Sequence, residues 1–458
     1  ELASAASGMA MVGPNCMGVI NAFDRVALWG ADGHFSPVDG NGIALISQSG
    51  AFLYGQVNVE RAYPMGYGLS LGNQAAIDIA DVIDFALDDE RVNVIGLYCE
   101  GLTNGQALCE ALARAARQKI PVVLLAGGGV PEAAARSISH TGNLAVPKDF
   151  WRALAERYAL IEVTSIKQLI ETPKLLCVSG VPKGNRIFVA TMSGGAGSLI
   201  AEQAAARGLE FTPVGETHHA KVRPTLPDVI TISNPLDLNL PWQSRDGVSL
   251  ADAGSMAQCL IDASDGNTDA IVVMLDIPRG THGFETPWLP TLEAMIEVRE
   301  RTGLPTVVSG LLPEGIEAHL RQHLQAHGVA ALMGLAETIE ALAGAAHYAG
   351  TIETVLEDTP TALLIPGRDG PTQTLDESDS KNMLTPYDLP MPLRWAGYIQ
   401  GVPAAAGRIG YPVAVKILEA SIAHKSKIGG VRLNLASEAE LTEAVKTIQR
   451  NIADARPD

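Results

Sequence analysis

The chain has 458 residues, 47% of them hydrophobic and 18% charged, with 46 glycines, which is too long for one ordinary core and implies about three compact units of a globular protein. Its formal net charge of −18 repels phosphate backbones and anionic bilayers, so nucleic acid and membrane surfaces are excluded as general partners and any phosphate site has to be local. Five cysteines without a CxxC pair exclude a disulfide framework and a zinc ribbon, and fit a reducing, cytoplasmic compartment.

The first legible stretch, Val12-Gly13-Pro14-Asn15-Cys16-Met17-Gly18, is turn-rich. From Gly42 to Leu176 the runs Ile43–Ser47, Leu69–Leu71, Val92–Tyr98 and Val122–Ala126 read as strands, with helical patterns at Ala51–Ala62, Ile77–Leu87 and Gln106–Arg117 between them. Strand–helix alternation of this kind predicts an α/β fold with a parallel sheet covered on both faces. A second such unit begins at Arg186 with Ile187–Met192, continues through Ala270–Ile277 and Thr306–Ser309, and ends near Gly350. Thr351–Gln373 has the Pro, Gly and Asp content of a connector. Beyond it come a strand at Val413–Ile417, the pair Gly429-Gly430, a second strand at Val431–Leu435 and a helix at Glu438–Ile448.

Two glycine-rich loops follow strands and open helices: Ser47-Gln48-Ser49-Gly50-Ala51 and Ser193-Gly194-Gly195-Ala196-Gly197-Ser198. Small residues let a ligand approach the backbone, and free N–H groups at a positive helix end favour an anion. Either loop by itself is equally consistent with a tight turn. Neither is followed by the Gly-Lys-Ser/Thr of a nucleotide-binding P-loop. His140 lies in the polar stretch Arg136-Ser137-Ile138-Ser139-His140-Thr141-Gly142-Asn143, where neutral imidazole can act as a nucleophile near pH 7. Glu100 ends the Val92–Cys99 run, at the sheet edge where open α/β folds bind ligands, and could hold one imidazole nitrogen while the other attacks. Lys416 closes the Val413–Lys416 strand, a position from which a point charge can meet phosphate. His319, His323 and His327 are spaced by four and share a helix face, which reads as solvated; no histidine cluster has metal-ligand spacing.

Together these segments resemble the NDP-forming acyl-CoA synthetases, relatives of succinyl-CoA synthetase and of the ADP-forming acetyl-CoA synthetases. Gly13-Pro14-Asn15-Cys16 is similar to the tail of the family's CoA-binding Rossmann domain, Ser137–Gly142 to its phosphohistidine loop, and Ser233-Asn234-Pro235-Leu236-Asp237-Leu238 to the signature of its second flavodoxin-like domain. Gly410-Tyr411-Pro412-Val413 through Lys416, with His424-Lys425-Ser426 and Gly429-Gly430-Val431, resembles the opening of an ATP-grasp domain. The resemblance implies a CoA-domain tail over 1–38, a first flavodoxin-like domain over 39–178, a second over 184–350, a linker over 351–373 and the start of an ATP-grasp domain over 374–458.

It further implies an ATP-dependent acid–CoA ligase working through phosphorylated His140 and an acyl phosphate, with Glu100 paired to that histidine and His424 as a second carrier. Ser49, Gly50, Gly194, Gly195 and Gly197 would hold the phosphoryl group, Lys416 the nucleotide, and Asn15 and Cys16 coenzyme A. ATP, coenzyme A and Mg²⁺ are the implied cofactors, with the magnesium carboxylates outside these residues. The implied partners are a small carboxylic acid, for example an aryl or hydroxycinnamic acid, and a second copy of the chain. Trp242 in Asn239-Leu240-Pro241-Trp242 could line an acyl pocket and is equally consistent with ordinary core, so it points to no particular substrate. Two other classes match part of the pattern: a catalytically silent acyl-CoA-sensing module, and an oxidoreductase built on the Gly194–Gly197 loop, which lacks a full dinucleotide fingerprint.

Overall fold

The computed structural model describes residues 9–127, 146–228, 230–238, 244–245, 248–249, 252–264, 266–277, 288–357, 374–387, 389–422 and 425–455. The chain divides into two compact units, Glu1–Leu364 and Ile365–Asp458. Among the described residues the first unit holds two large sheets and a two-stranded hairpin.

The first sheet contains β1 (Gly18–Asn21), β2 (Val26–Trp29), β3 (Gly42–Ser47), β4 (Met65–Ser70), β5 (Val92–Cys99), β6 (Val122–Ala126) and β7 (Ile161–Glu162), in the order β2-β1-β4-β3-β5-β6-β7. From β3 to β7 the pairing is parallel. All six residues of β3 are buried; Ile43 and Leu45 enter one apolar cluster, and Ala44 and Ile46 enter another on the opposite face. A strand buried on both faces has to be apolar without alternation, which is why the sequence shows a continuous run there. The order of β4, β3, β5, β6 and β7 is the 2-1-3-4-5 arrangement of flavodoxin-like folds, with its switch point between β3 and β5. Sequence patterning misses the hairpin β1–β2, whose strands are four residues each and whose β2 is mostly exposed. These two strands, within the segment expected to be a CoA-domain tail, add antiparallel to the edge at β4. Helix Gly50–Val57 is shorter than the expected Ala51–Ala62 because Asn58 ends it, its side-chain amide donating to the Tyr54 carbonyl at 2.9 Å.

The second sheet is parallel throughout. β8 (Arg186–Thr191) pairs with β13 (Ala270–Met274), followed by β14 (Thr306–Gly310) and β15 (Ala330–Met333). On the other edge of β8 two fragments share one lane: β9 (Glu210–Phe211) pairs with its start and β10 (Leu236–Asp237) with its end. The gap between them is filled by a side chain. Asn234 accepts from the Val189 N–H at 3.0 Å and donates to the carbonyls of Ile187 at 2.7 Å and Thr212 at 3.1 Å, standing in for the missing strand residue. A short hairpin, β11 (Ser244–Arg245) with β12 (Val248–Ser249), lies between β10 and β13 in the chain.

The two sheets share one apolar cluster. Ile43 and Leu45 of β3, Leu169 and Leu175 of helix Ile166–Val178, Val189 of β8 and Leu342 of helix Leu335–Glu357 all belong to it. Within this interface Glu171 is fully buried, bound by Arg61 at 2.7 Å, Lys174 at 2.6 Å and the Met333 N–H at 3.2 Å. Arg321 of helix Ala318–Ala326 donates to the Glu60 carbonyl at 2.5 Å.

The second unit places β16 (Val413–Lys416) antiparallel to β17 (Val431–Leu435), with helices Glu377–Leu384, Val402–Ile409 and Glu438–Ala455. A small core of Ala406, Leu435, Leu441 and Ala444 joins them.

Candidate active site

At the switch point of the first sheet, the chain leaves β3 through Ser47–Ser49 and enters helix Gly50–Val57. The Ser49 hydroxyl caps that helix by accepting from the Phe52 N–H at 3.3 Å, while the Ser47 hydroxyl donates to the Ser49 carbonyl at 2.8 Å. The segment around Asn15 and Cys16 lies against this turn. A Cβ on Gly50 would sit 2.9 Å from the Met17 side chain and 3.3 Å from its backbone nitrogen, so only glycine lets the segment come this close. Met17 N–H also donates to the Ser70 hydroxyl at 3.0 Å, and Asn73 N–H to the Pro14 carbonyl at 3.0 Å. Asn15 reaches Asn73 at 3.3 Å, and the Cys16 thiol contacts the Val12 carbonyl at 3.7 Å.

Glu100 follows the last residue of the neighbouring strand, β5. Its carboxylate accepts from the Tyr98 hydroxyl at 2.8 Å, and Tyr98 stacks on Phe52 of helix Gly50–Val57 with centroids 4.2 Å apart. Burial and the adjacent Glu100 push the Tyr98 phenol well above its ordinary range, so it stays a donor. Burial likewise pushes the Cys99 thiol up, which makes it an inert core residue. The main chain of the Glu100–Gly101 turn is held by Gln48, a buried residue between the two serines of the loop. Sequence reasoning missed Gln48 and Tyr98 as site residues; the only signal was that Gln48 lies inside a loop already singled out.

In the second sheet the turn after β8 is built the same way. Ser193 caps helix Gly194–Ala205 through the Ala196 N–H at 3.4 Å. A Cβ on Gly194 would lie 3.0 Å from the Asp237 carboxylate, so the last residue of the Asn-Pro-Leu-Asp signature sits beside this helix start, as does Pro235, which a Cβ on Gly197 would meet at 3.8 Å. Gly195 belongs to the first turn of the same helix.

In the second unit Lys416 ends β16 and pairs with Glu377, which also binds Lys381 at 2.5 Å. A cavity of about 400 Å³ is lined by Lys416, Glu377, Lys381, Trp395, Ala406 and Val415. His140, His424 and the stretch 239–243 with Trp242 lie outside the described residues. His323 pairs with Glu293 at 2.8 Å and contacts the His327 ring, a surface pairing. No group of three metal-ligating side chains occurs among the described residues, and no helix there is long and apolar enough to cross a membrane. A larger cavity, about 760 Å³, opens at the opposite, N-terminal ends of β3 and β4 beside Asn41, Gln56 and Tyr63; volume alone does not point to the chemistry.

Residues 39–176 match the family model of a succinyl-CoA ligase like flavodoxin domain, and residues 368–458 match that of an ATP-grasp domain. The chain is 27% identical over 464 residues to a trans-feruloyl-CoA synthase from an unknown prokaryotic organism, covering 99% of this chain. It is 26% identical over 463 residues to the ADP-forming acetate–CoA ligase I of Archaeoglobus fulgidus, covering 98%. Over nearly its whole length the chain is similar to NDP-forming acyl-CoA synthetases, and its two matched segments are a succinyl-CoA ligase like flavodoxin domain and part of an ATP-grasp domain. It spans 64% of the length of each of these two relatives. The fold is also that of a solved structure, the dinucleotide-forming acetyl-coenzyme A synthetase 1 of Ca. Korarchaeum cryptofilum in complex with phosphate and ADP. That likeness has a TM-score of 0.64 at 22% identity, over 79% of this chain and 75% of the other.

Proposed function

We propose that this chain carries the phosphoryl-transfer core of an ATP-dependent acid–CoA ligase, converting a carboxylate, CoA and ATP to acyl-CoA, ADP and phosphate. The observation that carries the reading is the pairing at one switch point of a capped helix start, Ser49–Gly50, with a fixed carboxylate, Glu100. An imidazole nitrogen of His140 attacks the γ-phosphorus of ATP; the bond to the bridging oxygen breaks and ADP leaves. Glu100 accepts a hydrogen bond from the other imidazole nitrogen and steadies the positive charge of the phosphohistidine. The N–H groups of Gly50, Gly194 and Gly195 are assigned to the phosphoryl oxygens, at the positive ends of two helices; against the sequence expectation, the Gly197 N–H is spent on the Ser193 carbonyl at 3.0 Å and the Ser49 N–H on the Ser47 hydroxyl at 3.2 Å. The carboxylate substrate then takes the phosphoryl group, freeing His140. The CoA sulfur, having given up its proton, attacks the acyl carbon and phosphate departs. Splitting the reaction lets each half be accelerated by its own positioned groups.

Lys416 is assigned to the nucleotide phosphates, His424 to relaying the phosphoryl group, and Asn15 and Cys16 to coenzyme A, in keeping with the close packing of their segment on the Gly50 turn. Mg²⁺ is assigned to the bound nucleotide, where it would neutralise phosphate charge. We assign the boundaries 1–38, 39–178, 184–350, 351–373 and 374–458 to the domains expected from sequence, with helix Leu335–Glu357 carrying the second domain past Gly350 into the expected linker, together with a cytoplasmic location and assembly as a homo-oligomer. The relative named for trans-feruloyl-CoA makes hydroxycinnamic acids the first members of a substrate panel.

The test is incubation of the full-length protein with γ-labelled ATP and Mg²⁺. An acid-labile, base-stable label on the peptide containing His140, discharged by CoA plus one acid and absent in His140→Ala, is the expected result. CoA binding without any label would replace the ligase reading with an acyl-CoA sensor.

A further inference from the structure

We propose that Gln48 is a positioning residue that registers Glu100 against the phosphate-facing loop Ser47–Gly50. The proposal rests on the reading of Glu100 as the partner of His140.

Gln48 is 2% exposed and its side-chain amide is committed entirely to one turn. Its oxygen accepts from the N–H groups of both Glu100 and Gly101, the latter at 3.0 Å, and its nitrogen donates to the Gly101 carbonyl at 2.6 Å. Its own backbone N–H donates to the Tyr98 carbonyl of β5 at 3.2 Å, continuing the ladder just past the end of β3. Buried N–H and C=O groups have to be satisfied, and Gln48 serves three of those in this turn. An apolar side chain of the same length would take from the Glu100 and Gly101 N–H groups the acceptor they share and leave the Gly101 carbonyl with the Cys99 thiol, 3.3 Å away, and the turn would move toward other partners.

The carboxylate has a second tether. Tyr98 donates to it and stacks on Phe52, two residues into the capped helix. One link therefore runs from the loop to the backbone of Glu100, and another from the helix to its side chain. Both ends of the arrangement are fixed by the same β3-to-helix turn, so the distance between carboxylate and helix start is set by hydrogen bonds and not by a flexible linker. Phosphoryl transfer depends on such registry, and a misplacement of about 1 Å can cost about 10²-fold in rate.

Two variants test this in the full-length protein. Gln48→Met keeps length and removes all three bonds; Gln48→Glu keeps an acceptor for both N–H groups and removes the donor to Gly101. Phosphoenzyme formation from γ-labelled ATP, kcat, and KM for ATP, CoA and acid are measured beside wild type, with circular dichroism to confirm folding. Gln48→Met is expected to lose about 10²-fold in phosphorylation rate and kcat with KM values changed less than about threefold. Gln48→Glu is expected to lose less, in kcat again. If Gln48→Met does not fold, Gln48→Glu decides. A folded variant with wild-type kcat, or with a loss confined to KM, overturns the proposal. Wild type that takes no label on His140 overturns instead the reading on which it rests.

Discussion

Glu171 sits where the two sheets of the first unit meet, fully buried, with Arg61 on one oxygen and Lys174 on the other; Lys174 is itself only 1% exposed on its side chain. Replacing Glu171 by Gln keeps the shape and one oxygen for the Met333 N–H and Lys174, which share Oε2, yet removes the negative charge that balances the buried Lys174 and turns an NH2 toward Arg61. Breaking a buried ion pair from one side costs about 3–5 kcal/mol, because a desolvated charge is left uncompensated. At about 2 °C per kcal/mol, the lower end for domains of about 150–250 residues, the thermal midpoint falls by about 6–10 °C. Differential scanning calorimetry reads this directly. Adding Lys174→Met removes the stranded cation, so the double variant is expected to regain at least half of the loss. A drop of less than about 2 °C in the single variant, or a double variant less stable than Glu171→Gln, would refute the reasoning.

Asn234→Ala removes the side chain that fills the lane between β9 and β10. With three backbone partners lost, the expected cost is about 3 kcal/mol, and amide exchange at Val189 should accelerate; unchanged protection of that amide would show that the side chain does not hold the strand. In the second unit, Lys381 and Lys416 hold the Glu377 carboxyl down to about 2 from an ordinary value of 4.5. A folded value below the unfolded one stabilises the unit above pH 4.5 and loses that contribution as pH falls from 4.5 toward 2. Because the pair is partly solvated, the effect is about 1 kcal/mol or less. Glu377→Gln should flatten acid unfolding in that window, and an acid limb identical to wild type would count against the ion pair.

Much of the architecture is legible without coordinates. The unbroken apolar runs at Ile43–Ser47, Val122–Ala126 and Ala270–Met274, short and alternating with helical patterns, read as strands covered on both faces, and the serines before Gly50 and Gly194 announce helix starts because their hydroxyls satisfy orphan N–H groups. The short edge strands β1, β2, β9 and β10 carry too few residues for a period to register.

Residue types and their local order thus determined the α/β class, both glycine loops and the presence of a carboxylate at the end of β5, since each depends on neighbours within about a turn or a strand. Tertiary structure decided what those pieces do together. Gln48 and the Glu100–Gly101 turn are 52 and 53 residues apart, Tyr98 lies under Phe52, and Glu171 joins Arg61 to Met333. Contacts of that kind leave no period in the sequence, because they are set by which strand ends the parallel order brings to the same edge.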